Sequence, residues 1–136
     1  MFSLIISIIA IALVIVLAGA SLYYGGDAFN KGTAKGEAAK YVNEAQQIQA
    51  AVTMYKVDNK SAIPTGMTDL DGSEDGSVQY LSAPLGHWTL QADAAGVTAT
   101  VESADVCEVI EKDIKVSNSQ ISCLSDAGTN TVTYTF

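Results

Sequence analysis

The stretch "SLYYGGDAFNKG", residues 21–32, divides the chain into two chemically different parts. The 20 residues before it carry no charge. Within it two tyrosines are followed by Gly25 and Gly26 and then by Asp27, the first charge in the sequence. All 15 acidic and all 7 basic residues lie from Asp27 onward. The net charge of -8 therefore belongs to the last 110 or so residues. There is no Arg. An acidic chain without a guanidinium has no basic cluster to contact phosphates, so direct nucleic-acid binding is not expected, and an anionic lipid surface would repel it.

Upstream, "MFSLIISIIAIALVIVLAGASLYY" is long enough to cross a bilayer as a helix, which takes about 20 apolar residues. It is apolar all round, unlike the helix of a soluble core, and Tyr23 and Tyr24 fall where an interfacial aromatic belt lies. A cleaved secretory signal fits poorly, because the run is too long and no basic region precedes it. The expectation is that a short charged leader has been removed, or that the N-terminal amine is the only charge at this end.

Downstream, residues 25–56 read as a glycine joint followed by an amphipathic helix. Ala38, Tyr41, Ala45, Ile48, Val52 and Tyr55 recur at spacings of three and four, with Glu37, Lys40, Glu44 and Gln47 off the stripe. Asp27 suits a helix N-cap and can pair with Lys31 one turn on. Each Gly costs about 1 kcal/mol of helix stability relative to Ala, so a helix break at Gly25 and Gly26 is expected when the chain is assembled with its copies.

Residues 57–136 form a small β-rich module. "WTLQADAAGVTATVES" reads as a hairpin turning through Ala94, Ala95 and Gly96. Ser103 or Asp105 would cap a short helix over "ADVCEVIEKDIK", and the chain would end in a turn at 126–130 and a strand alternating Val132, Tyr134 and Phe136 with threonines. About 80 residues leave a single core little margin. Cys107 and Cys123 are too far apart for a CxxC redox pair. In an oxidising compartment they read as one structural disulfide, closing a loop of about 16 residues and contributing about 3 kcal/mol. The alternative is two buried thiols. The expected fold class is α+β: a long N-terminal helix, apolar in its first half, packed under a small antiparallel sheet with one short helix. Three segments are expected, 1–24, 25–56 and 57–136.

No catalytic constellation is found, and neither an enzyme nor a cofactor is expected. His87, the single histidine, reads as a packed or hydrogen-bonded side chain. Asp69, Asp71, Glu74 and Asp75 crowd four carboxylates into "DLDGSEDG", the oxygen-rich chemistry Ca²⁺ favours. The loop misses the EF-hand pattern, with Ser73 at the fifth position, and a solvated acidic loop is the simpler account. Asn59-Lys60-Ser61 matches a glycosylation sequon.

The order of these features resembles a type IV pilin written as its mature chain. "FSLIISIIAIALVIVLAGASLYY", the amphipathic continuation, the small sheet and two cysteines bracketing a C-terminal segment carry the resemblance. "ADVCEVIEKDI" followed by "CLSDAGTNTVTYTF" is especially similar to type IVb-like pilins of conjugative thin pili. The resemblance implies a structural subunit that waits in the bacterial inner membrane and is drawn by pilus assembly machinery into an extracellular helical filament of identical copies. It also implies a processed, N-methylated N-terminus at Met1 or Phe2. The chain departs from the family at one position: Ile6 stands where Glu follows the first four residues, so the usual partner of a neighbour's amine is absent. Alternatives are a pseudopilin or minor pilin of a secretion or uptake machine, and a single-pass anchored periplasmic binding module.

Overall fold

The computed structural model describes residues 1–73, 78–82 and 85–136. It is an α+β structure: a long helix α1 (Phe2–Asp58), a short helix α2 (Thr68–Asp71), strand β1 (Trp88–Leu90), strand β2 (Gly96–Val101), helix α3 (Ala104–Val109), strand β3 (Ile121–Asp126) and strand β4 (Thr129–Thr135). The chain divides into two compact units, Met1–Thr33 and Ala34–Phe136.

In the first unit the helix of the single chain runs unbroken through Gly25 and Gly26, without the break expected there for the assembled state. The cost of two glycines is set against a propagating helix, in which each further residue adds a backbone bond after nucleation has been met. Asp27 is accordingly inside the helix rather than at an N-cap, and it does pair with Lys31, at 3.1 Å.

In the second unit the apolar stripe lies where its spacing places it. Ala38, Ala45, Ile48 and Val52 are buried, joined by Ala34 and Ala51, and Tyr41 and Tyr55 pack at the margin. The helix stops where the backbone turns left-handed at Lys60 (φ 55°) and Ser61 (φ 70°). The Tyr55 carbonyl accepts both the backbone N–H of Asn59 at 2.9 Å and its side-chain amide at 3.0 Å, doubly tying the last turn. The sequon asparagine thus serves as a helix-end partner. In the following segment Leu70 is fully buried, and its carbonyl accepts the backbone N–H groups of Tyr80 and Leu81, each at 2.9 Å.

The sheet is antiparallel with strand order β1-β2-β4-β3. Its inner face presents Val97, Ala99 and Val101 from β2, Val132 and Tyr134 from β4, and Ile121 and Cys123 from β3 to the buried stripe of α1. The expected β1–β2 hairpin forms, but its turn lies earlier than the expected Ala94–Gly96, through Asp93 (φ 63°) and Ala94 (φ 45°), and Gly96 is already paired in β2. Gly96 opens β2 because nothing larger fits: a Cβ there would stand 2.3 Å from the Tyr134 carbonyl oxygen. The β3–β4 hairpin closes on Ala127 (φ 44°) and Gly128 (φ 87°), the paired left-handed conformation of a two-residue turn matched to strand twist.

Between β2 and β3 the chain forms α3, with Ser103 at its N-cap position in extended backbone. It widens into a π turn over Ile110–Ile114, with the Lys115 N–H reaching the Ile110 carbonyl at 2.8 Å. Val106, Cys107 and Ile110 are buried and Ile114 packs partly against the same core.

Candidate functional site

In the unit Met1–Thr33 no residue is buried. The apolar side chains from Phe2 to Leu22 project on every side of the helix, and an 18-residue window is long and apolar enough to cross a membrane by length and composition. Two of the hydroxyls in this run are satisfied internally. Ser7 donates to the Ser3 carbonyl at 2.8 Å and Ser21 to the Leu17 carbonyl at 2.9 Å. Each removes a free donor from the helix surface, as an apolar environment requires. Tyr23 and Tyr24 meet edge-on, with ring centroids 5.6 Å apart. Around Gly25 and Gly26 there is open space, so neither glycine is demanded by a close contact in the single chain. Met1 and Phe2, the two candidate processed residues, are both exposed.

The unit Ala34–Phe136 contains a polar cluster in which His87 is hydrogen-bonded and packed against aromatic rings, as expected of it. Glu44, off the apolar stripe of α1 by its spacing, is nonetheless buried, with 9% of its surface exposed. Its Oε2 accepts the indole N–H of Trp88 at 2.9 Å and lies 2.7 Å from His87 Nε2, and Oε1 faces Lys40 Nζ at 3.7 Å. A carboxylate only accepts, so His87 carries its proton on Nε2. Burial by itself raises the Glu44 pKa. The Trp88 and His87 hydrogen bonds, with the charges of His87 and Lys40, outweigh it and hold the carboxyl below its ordinary range. Tyr41 packs edge-on against both His87 and Trp88, at 6.0 and 5.9 Å. Burial, then Glu37, Glu44 and Glu102, raise the pKa of its phenol, which stays neutral. The cluster clasps the start of β1 to α1. The signal available in the sequence was the single Trp, whose buried N–H needs an acceptor.

Cys107 and Cys123 are disulfide-bonded, with Cα atoms 5.3 Å apart, so the alternative of two free thiols does not hold. A second tie lies beside the bond. Glu111, on the π turn, accepts the outward-facing Cys123 N–H at 2.7 Å and pairs with Lys115 at 2.7 Å. These two contacts, Lys115 first, lower its pKa. Lys112 pairs with Glu108, and Lys35 of α1 with Asp113 at 2.9 Å.

The acidic loop divides. Asp69 accepts the Thr65 N–H at 2.7 Å and its hydroxyl at 2.9 Å, and Asp71 accepts the Ser73 N–H at 2.9 Å. Both carboxylates are engaged in their own turns. Glu74 and Asp75 lie outside the described residues. Among the described residues no group of three or more His, Cys, Asp or Glu side chains is arranged to hold a metal ion. No family model, curated protein or solved structure matches the chain.

Proposed function

We propose that this chain is the structural subunit of a type IV pilus filament, held in the bacterial inner membrane through residues 1–24 and drawn from it into a helical polymer of identical copies. The observation that carries the proposal is the contrast within α1: its first part exposes apolar side chains on all sides, and its second part buries one stripe under a sheet. An all-round apolar helix is satisfied by lipid in the subunit and by its own copies in a fibre. Repetition of one head-to-tail contact that does not close a ring yields a filament.

Residues 34–136 would form the outer surface. In the fibre the run from Gly19 to Gly26 would unwind locally to let neighbouring helices pack at the required rise. It is the stretch where glycines make opening least costly.

The test is electron microscopy of material sheared from cells that express the chain with a pilus assembly machine. Long filaments composed of this chain are expected, with residues 1–24 protected from protease. A few copies at the tip of a filament of another subunit would point instead to a minor pilin. A detergent-soluble monomer with a bound ligand, and no fibre, would point to an anchored binding module.

A further inference from the structure

The disulfide lies against an open surface cavity of about 240 Å³ bordered by Cys107, Cys123, Glu108, Glu111, Lys112 and Ser125. One water needs roughly 10–15 Å³ of such space, so the sulfur-bearing end of a small thiol can enter from the open side. The two cysteines are buried but not sealed, at 4% and 5% exposure, whereas Val106 and Ile110 on the core side are at 0%. The charges at the rim are paired, Lys112 with Glu108 and Lys115 with Glu111, so an approaching thiolate meets cations as well as carboxylates. Independently of the disulfide, the Glu111 carboxylate holds the Cys123 N–H to the π turn that continues the helix bearing Cys107.

We propose that this cavity is a thiol–disulfide exchange site, at which an external thiolate opens the Cys107–Cys123 bond in the folded protein while Glu111 holds β3 in register for its re-formation. The attacking thiolate forms a bond to one Sγ. The existing S–S bond breaks, and its electron pair leaves on the other Sγ as a thiolate, which takes a proton from solvent. A second thiolate resolves the mixed disulfide, releasing the oxidised external disulfide and leaving both cysteines reduced. The reverse sequence, with an external disulfide as oxidant, restores the bond. Glu111 is a positioning residue: it acts through the β3 backbone, by its bond to the Cys123 N–H.

The experiment uses the full chain in detergent micelles, with reduced and then oxidised glutathione, and follows the bond by alkylation and mass. Opening is expected to rise in proportion to thiol concentration. It should change by less than about threefold on adding 1 M urea, because global unfolding would accelerate it at least about fivefold. A rate that saturates with thiol, or rises about threefold or more with urea, overturns the exchange site. Glu111→Ala is expected to slow re-oxidation on the order of tenfold, and Glu111→Gln, which keeps an acceptor oxygen, by less than about threefold. Re-oxidation of the Ala variant at the wild-type rate overturns the role of Glu111. In reduced wild-type protein the Cys123 amide should stay protected from hydrogen exchange; loss of that protection on reduction overturns the same role without any variant.

Discussion

Glu44 shows how one side chain can belong to two elements. It sits on α1 by sequence, and its carboxylate completes the start of β1 by accepting from Trp88 and His87. Truncation to Ala leaves the Trp88 N–H buried without its partner, which costs about 1–3 kcal/mol. Glu44→Ala should therefore lower the urea midpoint of the full chain in micelles, with a shift in emission from Trp88, the only tryptophan. Glu44→Gln retains an acceptor and should lose less than half as much. Equal losses would mean that charge, not the hydrogen bond to Trp88, holds the clasp. Gly96 is the second decisive residue. A methyl group there meets backbone atoms of β4, the Tyr134 oxygen at 2.3 Å and the Thr135 Cα at 3.1 Å, and backbone cannot rotate aside. Gly96→Ala should destabilise by about 1–3 kcal/mol or more. A variant as stable as wild type would show that β2 and β4 separate at little cost.

At the scale of elements, α1 carries a tension between its local sequence and its continuity. Gly25 and Gly26 are helical in the single chain and touch nothing, so alanines fit without clash. Replacing both should strengthen the helix by about 1 kcal/mol per site, slowing amide exchange over residues 22–30 by about fivefold per site. If the fibre requires unwinding there, as proposed, the same double variant should insert into membranes normally and give fewer filaments. Undiminished fibre yield with slowed exchange would remove the glycine joint from the assembly scheme. The helix α3 and its π turn show a different kind of element control. Widening at Ile110–Ile114 keeps Ile110 buried while Glu111 reaches the β3 edge at Cys123. An unpaired edge strand invites association with another chain, and here one of its outward N–H groups is already occupied.

For the molecule as a whole, acid should loosen the second unit. Glu44 and Glu111 both have folded-state pKa values below their ordinary ones. A depressed carboxyl contributes stability that is present above its unfolded value, about 4.3 for Glu, and is lost as pH falls through the folded value. The urea midpoint of the full chain in micelles should thus hold from pH 7 to about 5 and decline below about 4.3. Glu44→Gln should start lower and decline less steeply. Parallel acid limbs for the two proteins would assign the acid sensitivity to other carboxylates.

Much of this architecture was legible in the residues because its causes are local. The three-and-four spacing of Ala38, Ala45, Ile48 and Val52 names the buried stripe, since neighbours on a helix face are set by helical geometry alone. The closing hairpin follows from its turn residues at 126–130, and with only two cysteines a disulfide has one possible pairing. An uncharged run of 20-odd residues is long and apolar enough to cross a membrane by length and composition, whatever follows it. What only the tertiary structure decided depends on partners distant in sequence. Glu44 reads as a residue off the apolar stripe until Trp88, 44 positions away, comes to meet it. The insertion of β4 between β2 and β3, the need for glycine at position 96 and the tie from Glu111 to Cys123 likewise arise from strands brought together by the core. The unbroken passage of α1 through Gly25 and Gly26 has a cooperative cause: residue propensities describe each glycine alone, and a helix already formed on either side carries the chain through both.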